Sequence, residues 1–81
     1  MARVTLTSTL SQFTGGVREL DVDAHDIRAL MRELGKRFPP LAPHLDDGLA
    51  VAIDGEIFQD TWFEPIPPGA EVSLLPKIGG G

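Results

Sequence analysis

The sequence predicts an α+β fold in which one main helix packs across one face of a mixed sheet of four to five strands. Three observations carry that prediction. Two early stretches alternate apolar and polar residues, a single stripe from Ile27 to Phe38 repeats at helical spacing, and further alternating stretches follow a double proline. A period of two puts successive side chains on opposite faces of a strand, whereas a period near 3.6 gathers them on one side of a helix.

The first strand is RVTLTST, with Val4 and Leu6 on one face and Thr5 and Thr7 on the other. Thr14-Gly15-Gly16 reads as a turn, because glycine accepts the positive φ values of hairpin loops. VRELDVD alternates again, with Leu20 and Val22 apolar, so the two stretches form an antiparallel hairpin with a fairly long connection. The helical stripe is Ile27, Leu30, Met31, Leu34 and Phe38, at i, i+3, i+4, i+7 and i+11. Asp26 is the expected N-cap, with Asp23 as the alternative. Gly35 weakens the last turn by about 1 kcal/mol relative to alanine, while Arg32, Lys36 and Arg37 complement the C-terminal end of the dipole. Pro39 and Pro40 stop the helix, since proline cannot continue its hydrogen-bond ladder. LAVAI, Leu49 to Ile53, is a strand with alanines on one face. Asp54-Gly55 is a tight turn, EIF a short strand, and EVSLL a final strand with Val72 and Leu74 inward and Leu75 outward. A helix that follows a hairpin and precedes more strands must lie across the sheet to bury its stripe. With the first and last strands side by side and parallel in the centre, the arrangement is a β-grasp, the ubiquitin-like roll. The expected organisation is a β-grasp domain over 1–76 and a flexible glycine tail over 77–81.

Composition limits the function. The 81 residues suffice for one modest core, 42% of them are hydrophobic, and there is no cysteine for a disulfide or a thiol nucleophile. Twelve acidic against seven basic residues give a formal charge of −5, which repels phosphate backbones and argues against nucleic acid as a partner. No run approaches the roughly 20 apolar residues of a membrane span. MARVTLTSTL is a strand pattern and lacks the apolar core of a signal peptide. A cytoplasmic protein without a membrane partner is expected.

The chain resembles the small sulfur-carrier proteins of the molybdopterin-synthase small-subunit and thiamin sulfur-carrier (MoaD/ThiS) type. TLSQFTGGVRELDV is similar to that family's first hairpin, DIRALMRELGKRFPPL to its helix and following proline, VAIDGE to its third strand and turn, and PPGAEVSLLP to its approach to the last strand. The terminal Gly80-Gly81 is similar to its reactive end, and TGG after a leucine resembles a branch serving cysteine synthesis. Two departures stand out: Gly79 takes the position of a small residue before the paired glycines, and Lys77 stands where an apolar residue or proline is common.

The resemblance implies a chemistry for the tail. A free α-carboxylate has a pKa near about 3.5, is ionised at neutral pH, and is a poor electrophile. Activation as an acyl-adenylate, with ATP used by an E1-like adenylating enzyme, overcomes this, and a sulfur-accepting synthase is the second implied partner. Six extended residues from Pro76 to Gly81, at about 3.3–3.6 Å each, reach roughly 20 Å. Glycines let such a chain thread a narrow slot. Gly81 is the implied adenylation and thiocarboxylate site, Gly80 its support, and Lys77, Ile78 and Gly79 partner contacts. No cofactor is expected to bind stably, and the protein is expected to be a substrate and donor, not an enzyme.

A docking surface is expected where Ala50, Ala52 and Leu75 point away from the helix, with Ile57 or Phe58 adding to it; an open apolar face on so small a domain marks an interaction site or a thin core. Other candidates carry less. His25 and His44 are 19 residues apart without a third soft ligand, so no metal site is expected and both read as solvent-exposed. Asp21, Asp23 and Asp26 read as turn and cap residues, Asp46 and Asp47 as a loop. Ser8, Ser11 and Ser73 have no convergent base. Trp62 and Phe63 lie in a loop that matches no family segment. Two rival functions share these features: a ubiquitin-like modifier attached through Gly81, and a β-grasp binding module with an incidental tail. The receiving pathway (molybdopterin, thiamin, cysteine or another) is open at this level.

Overall fold

The computed structural model describes residues 1–46, 49–59 and 61–76. Five strands form one sheet: β1 (Ala2–Leu6), β2 (Glu19–Val22), β3 (Leu49–Ile53), β4 (Glu56–Phe58) and β5 (Glu71–Pro76), in the spatial order β2-β1-β5-β3-β4. β1 and β5 are parallel and every other pair is antiparallel. The expected α+β class and β-grasp roll are therefore present, with the first and last strands adjacent in the middle. Alternation decides the faces: Ala2, Val4 and Leu6 of β1 and Val72 and Leu74 of β5 are buried, and the residues between them face the other way.

The connection from β1 to β2 holds more structure than a turn. A short helix, α1 (Ser8–Ser11), begins with Thr7 as N-cap, its hydroxyl accepting from the Leu10 N–H at 3.3 Å. Leu10 is buried in the core, which explains why so short a helix persists. Gly15 and Gly16 then turn the chain with φ of 68° and 92°, as expected. The buried Thr14 hydroxyl donates to the Val17 carbonyl at 2.7 Å and closes the loop.

The main helix, α2, spans Ile27–Arg37. Asp26 caps it: its carboxylate accepts from the Ala29 N–H at 2.7 Å. Ile27, Leu30, Met31 and Leu34 are buried against the sheet, and Phe38 packs partly at the C-cap. Pro39 and Pro40 end the helix in a 3₁₀ turn (Pro39–Leu41), and a further short helix, α3 (Ala42–Asp46), follows where a loop was expected. Leu41 and Leu45 bury themselves in the same core. His44 is not the free surface histidine expected from sequence; its ring stacks on Phe13 at 3.9 Å between centroids, tying α3 to the β1–β2 loop. Asp21 likewise lies in strand β2 and not in a turn, and its carboxylate accepts from Arg3 Nε at 2.9 Å.

β3 and β4 are joined by Asp54-Gly55, with φ of 49° and 90°, the paired positive values that a two-residue hairpin of this hand requires. Asp54 also locks onto β5: its N–H donates to the Glu71 carbonyl at 2.8 Å and its carboxylate accepts from the Glu71 N–H at 2.9 Å. No helix among the described residues is long and apolar enough to cross a membrane.

Candidate functional site

The site is built around β5, the strand that leads into the glycine tail. It is paired with β1 on one side as far as Leu74 and with β3 on the other as far as Pro76, opposite Leu49. Lys77, Ile78, Gly79, Gly80 and Gly81 lie outside the described residues.

On the face away from α2, the register sets Leu75 opposite Ala50, Ser73 opposite Ala52, and Ala52 opposite Ile57. Leu75 and Ala52 are half-buried there and Ile57 is 50% exposed. An apolar strip thus runs from Leu75, next to the root of the tail, across Ala50 and Ala52 to Ile57 on the edge strand. Two members of the expected surface need correction. Ala50 is on this face but is 0% exposed, because a single methyl group cannot reach past its neighbours; it forms the floor of the patch, not a contact. Phe58 is on the opposite face. It pairs with Val51, packs against the core, and lines a small apolar cavity with Ile27, Met31 and Leu49. The two-residue turn at Asp54-Gly55 fixes this register, and a one-residue offset in a strand reverses the face. Ile57 is the residue that joins the patch.

The rest of the same face is polar. Arg3 and Thr5 of β1, Glu19 and Asp21 of β2, and Glu71 and Ser73 of β5 line an open groove. Arg3 sits opposite both Asp21 and Glu71 in the register. The hydrogen bond that Arg3 donates to the Asp21 carboxylate, then the charge of that carboxylate, push the Arg3 guanidinium pKa above its ordinary value. Both side chains are more than half exposed, and such pairs add little stability. Three carboxylates face one guanidinium across this strip, which leaves it acidic. The face therefore offers an apolar contact beside the tail and an acidic flank, a match for a partner with an apolar recess and a basic rim.

Sequence reasoning left the Trp62-Phe63 loop without a role. It is anchored on the N-terminus of α2: the Arg28 N–H donates to the Trp62 carbonyl at 2.8 Å and the Ile27 N–H to the Glu64 carbonyl at 3.1 Å. No residue pattern announces backbone caps of this kind, because carbonyls are supplied by every residue type.

Residues 4–81 match the model of the ThiS family. No curated protein matches the chain significantly. Among solved structures, CysO of Mycobacterium tuberculosis superposes with a TM-score of 0.83 at 18% identity, over 96% of this chain and 100% of that one. A chain of the BexX/CysO complex of Amycolatopsis orientalis gives 0.79 at 16% identity, over 100% of both chains. SAMP1 of Haloferax volcanii gives 0.72 at 26% identity, over 99% and 98%.

Proposed function

We propose a function from one premise: the chain belongs to the ThiS family. It is a ubiquitin-like sulfur carrier. In our reading the α-carboxylate of Gly81 is the group that carries the sulfur. An E1-like enzyme binds ATP, and a carboxylate oxygen of Gly81 attacks the α-phosphorus, releasing pyrophosphate and forming an acyl-adenylate. Hydrosulfide then attacks the acyl carbon and AMP departs, so that one carboxylate oxygen is replaced by sulfur. The resulting thiocarboxylate donates that sulfur to a synthase in molybdopterin, thiamin or cysteine biosynthesis, in the cytoplasm. The protein is the substrate of one enzyme and the donor to another, and performs no catalysis itself.

The observation that supports this reading is the placement of β5. The strand is paired on both edges as far as Leu74 and on one edge to Pro76, next to Leu75 of the apolar patch, and five residues continue from it to Gly81. Extended, they span about 17 Å at about 3.4 Å per residue. A partner docked on the patch can therefore receive the carboxylate in a site well removed from the sheet. That a CysO protein forms a complex with BexX is in keeping with a protein partner for this chain.

The test is ATP–pyrophosphate exchange with the cognate activating enzyme, using the wild-type chain, a variant lacking Gly81 and a variant extended by one residue. Either change shifts the reacting carboxylate by about 3.5 Å, where an error of about 1 Å can cost a hundredfold in rate. Exchange should fall by at least that factor while the fold is retained. Intact mass after incubation with a sulfur source should show one oxygen replaced by one sulfur. Undiminished exchange by the altered chains would remove Gly81 from the chemistry, and stable attachment to lysines without sulfur gain would favour the modifier reading.

A further inference from the structure

The helix side of the molecule carries a second surface that the sulfur chemistry does not use. Arg28, Arg32 and Lys36 follow one another at intervals of four residues along α2, a spacing that stacks them into one ridge. All three are exposed. Neither Arg32 nor Lys36 has an ion-pair partner among the described residues, whereas Arg37 is engaged by Glu33 at 3.5 Å and by the Asp21 carbonyl at 3.1 Å. In a chain of net charge −5, three of the seven basic residues are thus gathered in one exposed row.

Beside the ridge stand two aromatic side chains. Phe63 is 72% exposed and Trp62 is 41% exposed. The Arg28 guanidinium lies 5.9 Å from the Phe63 ring centroid, within reach of a cation–π contact. Their loop is held in place by the α2 cap. The Ile27 and Arg28 N–H groups donate to loop carbonyls and the Ala29 N–H to the Asp26 carboxylate, so the free donors from Ile27 to Ala29 are all used. The backbone that carries the aromatic pair is therefore held before any partner arrives. Rigid Trp and Arg side chains are the residues most enriched at binding hot spots, and prior ordering lowers the entropic cost of association.

We infer that Arg28, Arg32, Lys36, Trp62 and Phe63 form a docking site for an acidic protein segment bearing an apolar anchor, separate from the sheet face that flanks the tail. Carboxylates on the segment meet the ridge, and its apolar side chain meets the aromatic pair. The chain's own tail suits the site poorly, because it brings Lys77, of the same sign as the ridge, and a single carboxylate at Gly81 to meet three cations. The inference does not rest on the sulfur-carrier reading: it concerns the opposite side of the sheet, and a carrier held here keeps Leu75 and Ile57 free for another protein.

The experiment titrates the full-length protein, isotopically labelled, with a short glutamate-leucine peptide, a polyglutamate peptide of the same length, a lysine-leucine peptide and a short single-stranded RNA. The glutamate-leucine peptide should bind, perturbing amide resonances of residues 28–36 and 62–63 and leaving 50–57 unmoved. Affinity should fall as salt rises and drop by about tenfold or more in Phe63→Ala and in the double variant Arg32→Glu, Lys36→Glu. These positions are exposed, and an unchanged amide spectrum elsewhere verifies that the variants fold. No binding, preference for the lysine-leucine peptide, equal binding of RNA or of polyglutamate, or shifts confined to the sheet face would each overturn the proposal. So would a concentration-dependent dimer of the free protein abolished by Arg32→Glu, which would assign the surface to a second copy.

Discussion

Ile57→Ala separates docking from folding, and its size follows from exposure. Full burial of such a side chain yields roughly 1.5–3 kcal/mol. Ile57 is 50% exposed in the free protein, so about half of that, about 0.8–1.5 kcal/mol, is still available to a partner that covers the sheet face. Removal should raise the Kd for the cognate activating enzyme about four- to twelvefold, with a stability loss no larger than about 1.5 kcal/mol. The adjacent residue is the control. Phe58 faces α2 and packs on the core, so Phe58→Ala should cost up to about 3 kcal/mol of stability, less than a fully buried aromatic, and leave the Kd of the folded protein unchanged. Isothermal titration with the enzyme, paired with urea denaturation of each variant, reads both quantities. An unaltered Kd for Ile57→Ala would refute the assignment of that face to docking. A Phe58→Ala variant that binds weakly yet keeps its urea midpoint would do the same.

Leu34 is 0% exposed at the centre of the α2 stripe, so Leu34→Ala should destabilise by about 2–5 kcal/mol, a large part of the total for a domain of this size; the denaturant midpoint checks it. The glycines of the two tight places should respond in opposite directions. A Cβ on Gly35 would meet Ala42 Cβ at 3.6 Å and Leu45 Cδ1 at 4.0 Å, ordinary contact distances within a helix, so Gly35→Ala should stabilise by about 0.5–1 kcal/mol. Gly55 has open space around it but φ of +90°, so Gly55→Ala should destabilise by about 1 kcal/mol or more. Thermal unfolding of both variants decides whether backbone conformation, and not available space, sets the sign.

Much of this protein was legible in its residues. The spacing of Ile27, Leu30, Met31 and Leu34, the cap at Asp26 and the stop at Pro39 specify α2, because each acts within a turn or two of the chain. Alternation in β1, β3 and β5 and the Asp54-Gly55 turn are local in the same sense, and the order of elements with the glycine end was enough to show the resemblance to sulfur carriers. What the sequence left open depends on contacts between distant segments. The short helices α1 and α3 are too brief to persist alone; they exist because Leu10 and Leu45 reach the core and His44 stacks on Phe13. Whether Ile57 or Phe58 meets a partner turned on the pairing of β4 with β3, and the burial of Ala50 on what surrounds a methyl group. The Trp62-Phe63 loop acquired a place only when its carbonyls were found on the first turn of α2, since a backbone acceptor leaves no mark in the identity of the residue that supplies it.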